Sequence, residues 1–388
     1  MPIFNKVKSV CIVSQLFTPD SQAISLRMKY LYESFSAHEI DTWVLTSKKS
    51  KNITGYNTST LIMPMGTNKD HVILRLFKEL VFGLEMFFRV LLKRSDVFLI
   101  TSPPFTVALA AVFACVIKNK PFIFDVRDEY PEVYFSEKLI SENGLIGRIL
   151  KKIERWTYKK SVITTTVTSR IVNKLIDKNG GNTDKIKLLR NGYANNITVQ
   201  NIPKDVPFVI LFHGNMGKFQ KPDLICDVAE MCVKNNLNVE FRIYGWGNQT
   251  SVILEREKTI PNLKHMGELN HKDMPTIISK ASLGISFQGE SDISRNSFPS
   301  KVMEFIGSGI PVIVTPISEA GEFVQDNKVG FQYEPSQITE VYLKIKDLLE
   351  DKEQMETLRD HTLKIRNSLS RKILSDQFVE DVFLKVFG

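Results

Sequence analysis

The four cysteines of this 388-residue chain, Cys11, Cys115, Cys226 and Cys232, make no CxxC pair. Neither a zinc ribbon nor a disulfide framework is therefore indicated, and buried thiols in a reducing compartment fit better. Six histidines are scattered without an HExxH or other ligand-spaced cluster, so nothing points to a metal centre. Glycine (20) and proline (16) are too sparse for a collagen-like or linker-dominated chain. The first residues do not read as a secretory signal, since Lys6 and Lys8 precede only the short apolar stretch Val10 to Val13, before Ser14 and Gln15. The longest uncharged run, Val97 to Ile117, has 21 residues, but Pro103-Pro104 leaves only the 13 residues Phe105 to Ile117 as an uninterrupted helix candidate. That is too short to cross ~30 Å of hydrocarbon. The run is predicted to be strand, tight turn and buried helix, and the chain to be soluble or peripheral.

What is present is a globular composition, 43% hydrophobic and 24% charged, with length for two domains. The net charge of +8 is unevenly spread. Residues 1–200 hold 29 Lys and Arg against 17 Asp and Glu, and residues 201–388 hold 22 against 26. The first half thus favours an anionic partner. No helix-turn-helix, RNP-type or zinc-finger pattern supports nucleic acid, which leaves an acidic membrane surface as the expectation.

Short β-branched or aromatic runs alternate with helical patterns, as in α/β folds with parallel sheets. Strands are predicted at Val10–Ser14, Thr42–Thr46, Asp96–Thr101, Phe122–Val126 and Val162–Thr168, with helices around Ile24–Phe35, Val72–Lys93, Thr106–Lys118, Ile146–Lys159 and Ser169–Lys178. Ala194 to Pro207 reads as a linker. A second strand series follows at Phe208–Phe212, Val239–Tyr244, Leu263–Met266, Leu283–Phe287 and Val312–Val314. Two doubly wound domains are expected, residues 1–198 and 199–370, with a terminal helix over 371–388 packing back on the first. Such sheets bind ligands beyond the carboxyl ends of their strands, so the loops there, and a cleft between the domains, are where a site is expected.

The segment Gln288 to Thr315 is the most informative. After a strand and a polar loop, Pro299 stands where a helix should begin, with Ser300 and Lys301 beside it and Glu304 one turn on. Proline suits a first helical turn, and free N–H groups with the positive helix end would receive a diphosphate. Glu304 is placed to accept hydrogen bonds from an attached ribose. An ordinary helix start with a solvated lysine fits the same letters.

The run PSKVMEFIGSGIPVI (299–313) resembles the donor-binding helix of glycosyltransferase family 4. Other blocks agree in order: residues 95–131, IERWTYKKS (153–161), LLRNGYANN (188–196), FHGNMGKFQK (212–221), YGWGNQ (244–249) and HMGELNHKDMP (265–275). Residues 95–131 are similar to the acceptor-domain stretch of bacterial members acting on surface polysaccharides, and the blocks together resemble a subgroup of N-acetyl-fucosamine transferases. The resemblance implies a GT-B fold, two Rossmann-like domains facing across a cleft. It also implies retaining transfer from a UDP-sugar to a polyprenyl-diphosphate-linked acceptor in capsule or O-antigen biosynthesis, with no catalytic metal or other cofactor. The chain contains no DxD triplet, the usual metal–diphosphate ligand of the other major transferase fold.

By the same resemblance Lys221 and Lys301 hold the diphosphate with Asn215 beside them, while Gly245, Trp246, Gly267 and Leu269 line the nucleotide side. Pro299, Ser300 and Glu304 complete the donor site. Asn215 stands where the family often has arginine, and Arg295 and Lys301 are the nearby cations expected to supply the difference. Asn296 replaces the first glutamate of an E-x7-E pair, leaving Glu290 and Asp292 as nearby carboxylates. In DVRDEYPE (125–132) Arg127 replaces the usual histidine. Arginine cannot act as a base, so Asp128 is the candidate for the acceptor hydroxyl, a turn cap being the alternative. Arg27 falls at the family's arginine position, and a structural role suits it equally.

Two segments suggest peripheral attachment to an anionic membrane at the inner face of the cell membrane. Val72 to Arg94 is rich in large apolar residues with Arg75, Lys78, Arg89, Lys93 and Arg94. Ile146, Ile149, Leu150 and Ile153 recur at helical spacing opposite Arg148, Lys151, Lys152, Arg155 and Lys159. Two rival functions stay open, a UDP-sugar 2-epimerase of the same fold and a non-catalytic relative that binds membranes or partners. Donor sugar, acceptor linkage and oligomeric state are not encoded in any legible motif.

Overall fold

The computed structural model describes residues 7–20, 22–48, 53–66, 71–136, 138–178, 183–199, 207–217, 219–270 and 272–388. The chain divides into two compact units, residues 1–191 with 374–388, and residues 192–373.

The first unit contains β1 (Ser9–Val13), α1 (Ala23–Ala37), β2 (Asp41–Thr46), β3 (Thr58–Thr60), α2 (Val72–Leu92), β4 (Val97–Ser102), α3 (Phe105–Ile117), β5 (Phe122–Val126), α4 (Glu132–Ser136), α5 (Leu145–Lys160), β6 (Ile163–Thr166), α6 (Ser169–Lys178) and β7 (Ile186–Leu188). Its seven strands run parallel in the order β3-β2-β1-β4-β5-β6-β7. Successive side chains of β1 and β4 enter opposite cores. Cys11, Val13, Phe98 and Ile100 pack with Phe82 and Met86 of α2 and Val112 of α3. Val10, Ile12, Val97 and Leu99 pack with Met28, Leu31 and Phe35 of α1. With both faces covered, the central strands β1 and β4 read as nearly continuous apolar runs.

The tail joins the second of these cores. Phe378, Val379, Phe383 and Phe387 are buried in it, and the Phe383 ring meets Phe35 edge-on at 4.8 Å. Val97 to Ile117 divides as expected into β4 and α3, and no helix among the described residues is long and apolar enough to cross a membrane.

Helix α5 shows its expected period, but its apolar side does not face the core. The buried positions are Gly147, Glu154, Thr157 and Tyr158, whereas Leu145, Ile146 and Ile149 are exposed. The inner side is polar because Glu154 accepts hydrogen bonds from Tyr158 Oη at 2.8 Å and Lys178 Nζ at 2.9 Å. Burial pushes the Glu154 carboxyl up to about 7 against the pull of Lys178.

The second unit contains β8 (Phe208–His213), α7 (Pro222–Lys234), β9 (Val239–Tyr244), α8 (Thr250–Arg256), β10 (Leu263–His265), α9 (Met274–Lys280), β11 (Leu283–Phe287), α10 (Asp292–Asn296), α11 (Ser300–Gly307), β12 (Val312–Thr315), α12 (Glu319–Asp326), β13 (Gly330–Gln332), α13 (Ile338–Glu350) and α14 (Lys352–Ile365). Its six parallel strands follow the order β10-β9-β8-β11-β12-β13. Of the predicted linker, residues 200–206 lie outside the described residues, and Ala194 and Ile197 are buried. In each sheet the strand order reverses beside the first strand, between β1 and β4 and between β8 and β11. Loops leaving those carboxyl ends diverge to opposite faces and leave a crevice.

Candidate functional site

In the second unit the loops after β8, β9 and β10 are tied together by their own backbones. Gly214 N–H donates to Tyr244 O at 3.0 Å, Gly245 N–H to Gly267 O at 2.8 Å, and Met216 N–H to Trp246 O at 3.1 Å. Gly245 has φ +127°, and a β-carbon there would collide with the Gly214 carbonyl oxygen, so no other residue permits this approach. His265 Nε2 lies 2.9 Å from Gly245 O, and its ring meets the exposed Trp246 indole edge-on at 4.8 Å. Leu269 is partly buried against the core that contains Phe305.

Lys301 lies in the first turn of α11, beside this shelf. The residue is only 8% exposed. Its ammonium donates to Gln220 Oε1 at 3.0 Å and sits 3.8 Å from the centroid of the Phe212 ring. The side chain runs alongside Gly214, whose φ is +113°. Burial pulls the ammonium down to about 7, and Glu304 opposes that shift. A cation held by an amide oxygen and an aromatic face lacks a full counter-charge. Such a position is suited to an incoming anion.

Glu304 is one turn further along α11. Burial pushes its carboxyl up, against the opposing pull of Arg371 and Lys301. His213 Nε2 approaches Glu304 Oε2 to 3.6 Å, longer than a hydrogen bond. Arg371 is buried and donates from Nη2 to Gly192 O at 2.8 Å. Sequence reasoning missed Phe212, His213 and Gln220 as neighbours of the motif, although all three lie within the FHGNMGKFQK block. Arg371 carried no signal, because only folding brings it near Glu304.

Lys221 precedes α7 (Pro222–Lys234). Its N–H donates to Phe287 O at 3.1 Å, its side chain runs alongside Gly289, and its ammonium stands 3.9 Å from Asp223. Asn215 is exposed, with its amide against Gly217 and Gly247. Pro299 is the N-cap of α11 and Ser300 its first residue. Asn296 ends α10, which Ser291 caps by accepting from Ser294 N–H at 3.0 Å.

One expectation changes. Arg295 is not a spare cation for the crevice, since its guanidinium forks onto Glu334 at 2.8 and 3.1 Å and also donates to Ile317 O at 3.1 Å. A bidentate carboxylate partner occupies the geometry a phosphate would need.

In the first unit, Arg127 and Asp128 follow β5. Arg127 is half-buried, with its N–H donating to Ser102 O at 3.3 Å, and Asp128 is exposed. Asp128 O accepts from Tyr130 N–H at 3.0 Å, so its backbone closes a turn while its side chain stays accessible. Arg27 is a structural residue. It reaches Asp125 Oδ1 through Nη2 at 2.7 Å and Leu189 O through Nη1 at 2.7 Å. Thr101 and Thr165 also donate to Asp125, at 2.8 and 2.6 Å.

Comparisons with known proteins agree with this architecture. Residues 195–364 match the family model described as Glycosyl transferases group 1. No curated protein matches the chain in sequence. Among solved structures, HepE of Anabaena in complex with UDP is similar over 97% of this chain and 99% of its own, at TM-score 0.71 and 12% identity. Sucrose-phosphate synthase of Thermosynechococcus elongatus is similar over 98% and 99%, at TM-score 0.71 and 12% identity. WaaG, a glycosyltransferase involved in lipopolysaccharide biosynthesis, is similar over 96% and 99%, at TM-score 0.64 and 12% identity. The chain therefore has the GT-B fold, and the match to the group 1 glycosyl transferase model extends over most of its second unit.

Proposed function

We propose that the protein transfers a sugar, with retention, from a UDP-sugar to a polyprenyl-diphosphate-linked acceptor at the inner face of a bacterial cell membrane. The observation that carries this reading is Lys301, a buried ammonium at the start of α11 with an amide oxygen and a ring for company. The donor's diphosphate lies between Gly214 and the first turn of α11, where Lys301 and the helix terminus meet its charge. Glu304 accepts from the ribose, and the shelf of Gly245, Trp246 and Gly267 borders the base. As the sugar–oxygen bond breaks, negative charge grows on the departing diphosphate while the sugar gains oxocarbenium character. A preorganised cation stabilises that state more than the ground state. The absence of a DxD triplet from the sequence supports this work being done by side chains without a metal. Neighbours such as HepE, solved with UDP and with UDP-glucose, support a uridine nucleotide.

On the acceptor side, Asp128 takes the hydroxyl proton and Arg127 orients an anionic group. The similarity of residues 95–131 to transferases of surface polysaccharides supports a role in capsule or O-antigen assembly and an N-acetylated deoxyhexosamine as the sugar. Mass spectrometry of products from a panel of UDP-sugars with a synthetic polyprenyl-diphosphate acceptor tests the proposal. Transfer to the lipid-linked acceptor is the expected result. Conversion of a UDP-sugar with no acceptor present would replace it with 2-epimerisation.

A further inference from the structure

Helices α2, α3 and α5 contribute inward-facing residues to one core on the same face of the first sheet: Phe82, Met86 and Val90 from α2, Val112 and Cys115 from α3, and Tyr158 from α5. Their outward sides are apolar too. On α2, Phe77 is 62% exposed, Leu80 68%, Leu84 57%, Phe88 53% and Leu92 80%. These residues are spaced at intervals of three and four, so they form one stripe along the helix. On α3, Phe113 and Ile117 are exposed, and Phe113 stacks on Trp156 of α5 at 5.0 Å, joining the two helices. On α5 the exposed residues are Leu145 at 77%, Ile146 at 62% and Ile149 at 45%. A helix that turns Glu154 and Thr157 inward and leucine and isoleucine outward is reversed for a water-facing position. Scattered exposed apolar residues are ordinary, but a surface extending over three adjoining helices marks an interaction face.

The surrounding charge identifies what covers it. Arg94, two residues past the end of α2, and Arg148, Lys152, Arg155 and Lys159 along α5 are exposed. A second copy docked face to face would bring this cationic border against its own like. An anionic bilayer satisfies both parts, acyl chains against the stripe and acidic headgroups against the border.

We infer that the outward faces of α2, α3 and α5 insert into an anionic lipid bilayer, so that attachment is held by buried apolar side chains and only guided by charge. The inference deepens the proposed lipid-linked acceptor reading, on which it rests, by naming the face and the mode of attachment. The sequence expectation named α2 and α5 for their mixture of apolar and basic residues; the exposed side chains add α3 and show which residues face outward.

The test is flotation of the full chain with phosphatidylcholine vesicles containing phosphatidylglycerol, at low salt and at about 0.5 M salt, where exposed charges are screened within a few ångströms. The parent should stay bound at high salt. L84Q/F88Q and, separately, I146Q/I149Q should each weaken binding by at least roughly tenfold, since one fully buried side chain of this size is worth about that factor. Unchanged UDP affinity and melting of the variants would show that fold and donor site survive. Complete release of the parent by salt, or equal binding by parent and variants, would overturn insertion through this face and leave the transferase reading standing. A parent that binds no vesicle while still glycosylating a water-soluble acceptor overturns membrane attachment itself. Dimers of the parent that dissociate in the glutamine variants, without vesicle binding, would assign the face to a second copy.

Discussion

Arg27 and Lys301 are both buried cations near the carboxyl ends of a parallel sheet, yet their surroundings differ in kind. Arg27 is met by the Asp125 carboxylate and the carbonyls of Leu189 and Arg190. Two threonine hydroxyls also donate to that carboxylate, one to each oxygen. Lys301 has one amide oxygen and one ring, and among the described residues no carboxylate lies within ion-pair distance. The first arrangement is complete without a ligand and the second is not. Burial alone therefore does not separate a structural cation from a binding one. The supply of partners does.

The sharpest way to break this comparison is Arg27→Ala. It leaves Asp125 buried with only hydroxyl donors, and loss of one partner from a buried pair costs about 3–5 kcal/mol. Urea denaturation should show a loss of that order, and a loss below about 1 kcal/mol would mean the pair is not structural. Lys301→Ala should act on function instead. By analogy with a lost oxyanion donor, turnover should fall by roughly 10²–10³-fold, while the melting temperature stays level or rises because a poorly compensated buried charge has gone. Near-parental turnover in the folded variant would remove Lys301 from the site.

The smallest effect expected is one of pH. Between about 7, its value in the folded protein, and its usual 10.5, Lys301 holds fewer protons folded than unfolded. The free protein should therefore gain stability from this group as pH rises through that window. A bound diphosphate restores the charge, so UDP binding near pH 8 should take up a proton and weaken as pH rises further. Calorimetric titration in buffers of different ionisation heat would show the uptake, and Lys301→Met should abolish it. An uptake that persists in that variant would assign the proton to another group.

Much of the fold was legible because both sheets are covered on both faces. Runs such as Phe122–Val126 and Leu283–Phe287 are mostly apolar, buried at every position, and announce strands covered on both sides. The three-residue edge strands β3, β7 and β13 escaped, since Thr58–Thr60, Ile186–Leu188 and Gly330–Gln332 are too short to carry a pattern. Helix α5 was legible in period and not in direction, because spacing shows that a helix has an apolar side and says nothing about what lies against it. In the site, the local grouping of Pro299, Ser300, Lys301 and Glu304 could be read from one stretch of sequence. Whether Arg295 was free could not, since Glu334 lies 39 residues away.

The shelf formed by the loops after β8, β9 and β10 is closed by main-chain hydrogen bonds, with glycine at the tight crossing. Its path is thus largely independent of the side chains mounted on it. In the proposed transferase, donor preference can then drift or be redesigned by exchanging the exposed Trp246 and Asn248 while the loop path persists, whereas Gly245 admits no replacement. Selection for a new sugar nucleotide would leave its record in the exposed letters of YGWGNQ and spare the glycine that joins the loops.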